Sequence, residues 1–161
     1  MTTPRHIIEK RPLAYRADTL IKKRLLVFVD LEFSGLELNN EIISIGCLVI
    51  KQPEFKIVKE WTAKARPTHL ENADKNSLAI VGYSKKDWAD ARPLKDVLEE
   101  INDLAKDGRM AGYNIAWDFF FLKKSFSRLE IKPKFHWQIL DVMSMAFAKF
   151  YRRSSVKGFR M

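Results

Sequence analysis

The chain has 161 residues, 47% of them hydrophobic and 12% aromatic. That is enough to bury a core in one domain and too apolar for a disordered tract. A net charge of +9 points to polyanionic partners such as phosphate backbones, and a single cysteine, Cys47, excludes an intrachain disulfide or a thiolate metal cluster within the chain. The charge sits at the ends. Residues 1–24 carry seven basic side chains against two acids, residues 149–161 carry five and no acid, and the stretch between them is nearly neutral. The N-terminal stretch has charges scattered through it and no apolar h-region, and no run approaches the roughly 18 apolar residues of a membrane span. The expectation is therefore a soluble, cytoplasmic protein without a membrane partner.

Residues 1–24 read as a basic extension and residues 25–161 as the folded domain. "LLVFVD" (25–30) is a continuous apolar run of the kind that forms a central strand buried on both faces. "EIISIGCLVI" (41–50) is a second strand. After the turn "KQPE", residues 55–65 alternate, with Phe55, Ile57, Trp61 and Ala63 on the inner face of a half-exposed edge strand. The short connections make these three strands an antiparallel meander. Residues 66–91 hold one or two short helices broken at Gly82. A helix follows whose inner face carries Leu94, Val97, Leu98, Ile101, Leu104 and Ala105, with Pro93 in its first turn and Gly108 beyond its end. "RMAGYN" (109–114) is a fourth strand. Residues 116–129 form a helix with Phe119, Leu122, Phe126 and Leu129 facing inward, "FHWQIL" (135–140) a fifth strand, and 141–153 a last helix. The order predicts an α/β domain with a mixed sheet and helices on its faces.

The first strand ends in Asp30-Leu31-Glu32. Residues two apart on a strand share a face, so the two carboxylates converge. Side by side they repel, and a divalent cation such as Mg²⁺ removes that cost while keeping positions open for water and phosphate.

The flanks add a resemblance. An apolar strand, Asp30-x-Glu32, then Ser34-Gly35-Leu36 and a second strand through "EIISIG" resembles the first motif, D-x-E-T-T-G-L, of the DEDD 3′–5′ exonucleases, with Phe33 and Ser34 in place of the threonines. "YNIAWD" (113–118) resembles the second motif, H-N-x-x-F-D. Asn114 and Asp118 match, Trp117 stands for the aromatic and Tyr113 replaces His. The connector around "LAIVG" is similar to the family's as well, so the likeness covers about residues 25–150.

The resemblance implies a ribonuclease H-like fold, with antiparallel strands 1-2-3 and parallel strands 4 and 5. It implies a metal-dependent phosphodiester hydrolase acting on a single-stranded 3′ end of DNA or RNA. Asp30, Glu32 and Asp118 would hold two Mg²⁺ or Mn²⁺ ions, Ser34 and Leu36 would line the pocket for the terminal nucleotide, and Asn114 would support the site or simply open the helix. Tyr113 and Trp117 are expected in the core by the general preference of large aromatics for burial.

The family's third motif, H-x-x-x-x-D on a late helix, has one match in spacing, His136 and Asp141. It falls on the predicted fifth strand, where an Asp more commonly caps the next helix. The chain is therefore expected to stop where the family's final helices begin, short of a fourth carboxylate. That would leave a sheet face open to a second copy or a partner chain. A non-catalytic nucleic-acid-binding or partner-binding module is the alternative function.

Overall fold

A computed structural model describes residues 23–151. Most of the basic extension and the end of the basic tail lie outside the described residues. β1 (Leu26–Phe33), β2 (Ile42–Lys51) and β3 (Lys56–Lys64) form an antiparallel meander. β4 (Arg109–Gly112) runs parallel to β1, and β5 (His136–Asp141) runs parallel to β4. The sheet order is β3-β2-β1-β4-β5, which makes β1 central and β3 an edge as the meander and its patterning predict. The helices are α1 (Lys75–Val81), α2 (Leu94–Leu104), α3 (Ala116–Arg128) and α4 (Val142–Tyr151). The ambiguous connector supplies α1, capped at its start by the Asp74 side chain and ended by Gly82 in the left-handed conformation. No helix among the described residues is long and apolar enough to cross a membrane.

One face of the sheet carries the core. Val27, Val29 and Leu31 of β1 and Ile45, Cys47 and Val49 of β2 pack with Val97, Leu98 and Ile101 of α2 and with Phe121, Leu122 and Phe126 of α3. Burial pushes the Cys47 thiol up to about 11, so it behaves as a small core residue. The opposite face of β1 begins with buried Leu26 and ends with exposed Asp30 and Glu32, so the strand is buried on both faces only in its first half.

Two expected faces are corrected. Phe55 and Ile57 are 66% and 46% exposed. Val49 pairs with Lys59 but Ile50 pairs with Ile57, so Val58 is an extra residue, and the alternation read through Trp61 and Ala63 does not carry back past that bulge. In α3 the inward positions are Asp118, Phe121, Leu122, Ser125 and Phe126, while Phe119 and Leu129 are only half-buried. The helix is rolled so that the 118/121/122/125 stripe meets the sheet.

Phe121 sits at the centre of that stripe, fully buried, with its ring 4.3 Å from that of Phe33. Phe121→Ala is expected to cost about 3–5 kcal/mol. The check is a lower urea midpoint with an unchanged m-value.

Candidate active site

The site forms where β1 outruns its neighbour. β4 stops at Gly112, opposite the middle of β1, and β1 continues to Phe33. Leu31 points into the core, which sends Asp30 and Glu32 together to the other face. The backbone N–H of Leu31 donates to Oδ1 of Asp118 at 2.9 Å. That bond ties the first turn of α3 to β1 between the two strand carboxylates. Asp118 is 8% exposed, whereas Asp30 and Glu32 face solvent.

Small neighbours leave room beside Asp30. Its cross-strand partner is Gly46. Gly112 lies so close to β1 that a Cβ there would meet the Val29 carbonyl at 2.8 Å. Together with Phe28, Leu48 and Tyr113 they line a hollow of about 490 Å³ on the face of the sheet away from α2 and α3.

Burial first, with the charges of Asp30 and Glu32 adding to it, pushes the Asp118 carboxyl up to about 6 despite the Leu31 N–H. Glu32 is raised too, by burial and then by Asp30. None of the three makes an ion pair with a Lys, Arg or His among the described residues. Clustered hard oxygen donors without a countercharge are a donor set that suits Mg²⁺ or Mn²⁺. As placed, no three His, Cys, Asp or Glu side chains among the described residues are close enough together to hold one metal ion. Water and phosphate oxygens would have to complete the shell, as they commonly do for Mg²⁺.

The remaining expected site residues divide. Leu36 is 61% exposed and forms a hollow of about 620 Å³ with Leu38, Trp117 and Phe120. Ser34 is only 1% exposed. It is buried, its Oγ accepts from the Glu41 N–H, and its backbone bonds Glu41 and Asp74, so it closes the loop that presents Leu36. That loop is tight, because a Cβ on Gly35 would lie 2.5 Å from the Asn40 side chain. Asn114 has a left-handed backbone and donates its N–H to Asp141.

Asp141 and His136 are not brought to the carboxylates. Asp141 accepts from Asn114 N–H, Met143 N–H, Ser144 N–H and the Ser144 hydroxyl, the geometry of a cap on α4. His136 lies in register with Arg109, which is in register with Leu26. That leaves His136 two strands across from β1 and about 13 Å short of Asp30 along it.

Tyr113 and Trp117 correct the expectation of burial, being 62% and 47% exposed. Leu38 and Phe120 escaped the sequence reading. Phe120 follows Trp117 by three positions, so helical spacing would have found it once Trp117 was placed outside.

The comparisons agree with this architecture. A family model for exonucleases, RNase T, matches residues 27–159. DNA polymerase III PolC-type from Streptococcus pyogenes serotype M2 is 28% identical over 140 residues, covering 86% of this chain and 9% of that protein. The 3′-5′ exonuclease DinG of Staphylococcus epidermidis is 29% identical over 133 residues, covering 80% of this chain and 14% of that protein. The chain thus spans a small part of the relatives it matches. Among solved structures, E. coli exonuclease I in complex with a dT13 oligonucleotide superposes with a TM-score of 0.71 at 17% identity, over 81% of this chain and 30% of that one. An exonuclease I/SSB-Ct complex gives 0.72 at 17% identity, over 81% and 31%. A strand meander, a central strand ending in Asp-x-Glu and a helix returning an Asp to it are thus joined to a family match across most of the sequence, and the chain belongs to the RNase T family of exonucleases, on the ribonuclease H-like fold of the DEDD 3′–5′ exonucleases.

Proposed function

We propose that the domain hydrolyses phosphodiester bonds from the 3′ end of single-stranded nucleic acid and releases nucleoside monophosphates. The observation that carries this reading is the meeting of Asp30, Glu32 and Asp118 at the end of β1 with no ion pair to a basic side chain among the described residues. Asp30, Glu32 and Asp118 would hold the two Mg²⁺ or Mn²⁺ ions. When bound, such ions supply a water of lowered pKa and neutralise charge at the leaving oxygen.

The chain's own residues do the rest. Leu31 fixes Asp118 through its N–H, and the rigid core beneath holds that bond in place. The hollow beside Asp30 admits a phosphate where Gly46 and Gly112 carry no side chains. Leu36, with Leu38, Trp117 and Phe120, gives the terminal base an apolar seat. The single-stranded oligonucleotide in the exonuclease I structure supports this substrate class, and the name of the DinG relative supports the polarity.

With Asp141 serving as a helix cap, three carboxylates rather than four stand at this site among the described residues, so turnover by this chain is expected to be slow. The test is a 5′-labelled single strand incubated with Mg²⁺ or Mn²⁺ and resolved on a gel. A ladder shortening from the 3′ end and abolished by chelator is expected. Metal-independent or 5′-directed shortening would refute the proposal, and tight binding without any cleavage would leave the non-catalytic module.

The N-terminal residues 1–20 add Arg5, Lys10, Arg11 and Arg16. Their removal should lower the salt slope of single-strand binding by about 0.7 for each phosphate that is no longer neutralised. An unchanged slope would mean that the extension does not touch the substrate.

A further inference from the structure

One stripe of α3 continues past the apolar seat just described. Trp117, Phe120, Lys124 and Arg128 follow one another by three, four and four positions, which keeps them on one face of the helix. The stripe runs about 16 Å. Its first half is the apolar hollow with Leu36 and Leu38. Its second half opens into a cleft of about 320 Å³ between the start of α2 and the end of α3, where Arg66, Lys95, Lys124 and Arg128 face a single acid, Glu41.

That acid is already engaged. The Glu41 carboxylate accepts from the Thr68 N–H, the Thr68 hydroxyl and the His69 N–H. Among the described residues neither Arg66 nor Arg128 pairs with an acid, and Lys95 has only a long pair within its own helix. Arg128 makes no hydrogen bond or ion pair among the described residues, Arg66 donates only to the Ala91 carbonyl, and Lys95 is 4.0 Å from Glu99. Lys124 joins the two halves. Its Nζ donates to the carbonyls of Leu38, on the wall of the hollow, and Asn40, on the wall of the cleft, and lies 4.0 Å over the Phe121 ring. Burial lowers its pKa, the charge of Arg128 adds to that, and Glu41 offsets only part of it.

We propose that this stripe is the track of the strand upstream of the bond being cut, with Arg66, Lys95 and Arg128 holding its phosphates in the cleft between α2 and α3. The inference rests on the exonuclease reading and extends it by a few nucleotides. An apolar stacking surface leading into a cationic groove is how single strands are held without regard to sequence. An isolated anion would have no use for the first half of the stripe, and an apolar ligand none for the second. Affinity should therefore grow with substrate length beyond the terminal nucleotides, through contacts that are sensitive to salt and indifferent to base identity.

The experiment uses the full chain in Ca²⁺, which permits binding without turnover, and reads fluorescence anisotropy with two probes, a labelled thymidine dinucleotide and a labelled thymidine oligomer of about ten nucleotides. The variants are Arg66→Ala with Arg128→Ala, and the charge reversal Arg128→Glu. Both sites are exposed, and an unchanged melting temperature establishes that each variant folds. The double variant should weaken oligomer binding about tenfold at low salt and reduce the salt slope by about one to two, with Arg128→Glu doing at least as much and dinucleotide affinity unchanged within about twofold. Oligomer affinity equal to wild type in both variants would overturn the track, as would an equal loss for both probes. Failure of the wild type to cleave would count against the exonuclease reading alone, because the track is read from binding.

Discussion

Asp30→Ala is expected to lower metal-dependent 3′ shortening by about three orders of magnitude, to the level of the reaction with chelator. Asp30 is exposed near the end of β1, and its neighbours Gly46 and Gly112 carry no side chain that could take its place. The substitution removes no core packing and should leave the melting temperature near or above that of the wild type, since it relieves the repulsion on Glu32 and Asp118. That combination separates a ligand from a structural residue. Glu32→Ala should behave alike. Glu37→Ala changes an acid of the adjacent loop and should retain activity within a few-fold. Full activity in Asp30→Ala would remove this carboxylate group from the chemistry and direct attention to His136→Ala and Asp141→Ala, because those residues supply the other acid-containing motif of the right spacing.

The parts of the fold that follow from one element's own periodicity were legible in the sequence. The apolar run into Asp30-x-Glu32 places two carboxylates on one face whatever surrounds it, and the three short-linked strands can hardly do other than form a meander. What depends on how two elements meet was not legible. The inward face of α3 follows from Asp118 taking the Leu31 N–H, and that vacancy exists only because β4 stops at Gly112. With 118, 121, 122 and 125 turned inward, Trp117 and Phe120 are left outside, against the usual preference of aromatics. The bulge at Val58 likewise breaks an alternation that looked regular through Phe55. For His136, five residues of linear spacing from Asp141 matched the motif, while the sheet register sends the two to opposite ends of β5. Asp118 was found only through the resemblance of "YNIAWD" to a motif, because nothing in its own helix marks one acid in the first turn as different from a dipole-stabilising one.

Asp118→Asn should abolish activity and yet make the metal-free protein more stable. The Asp118 carboxyl is raised from 3.8 to about 6 in the folded state. Between those values the folded protein keeps a proton that the unfolded chain releases, so stability falls as pH rises from about 4 to about 6 and the deficit persists above. A shift of that size corresponds to at most about 3 kcal/mol. Asn keeps a carbonyl oxygen for the Leu31 N–H and carries no charge. The variant should therefore melt several degrees higher than wild type at pH 7.5 without metal and lose the decline between pH 4 and 6. Mn²⁺ or Mg²⁺ binds the folded wild type and should raise its melting temperature, because an ion that prefers the native state stabilises it by mass action. The same ions should barely move the variant. At pH 5 the wild type should need more metal for the same shift, since protons then compete for Asp118. A less stable variant would mean that the carboxylate is a structural anchor whose hydrogen bond outweighs its burial. A variant that keeps the wild-type metal shift would mean that the ions bind without Asp118.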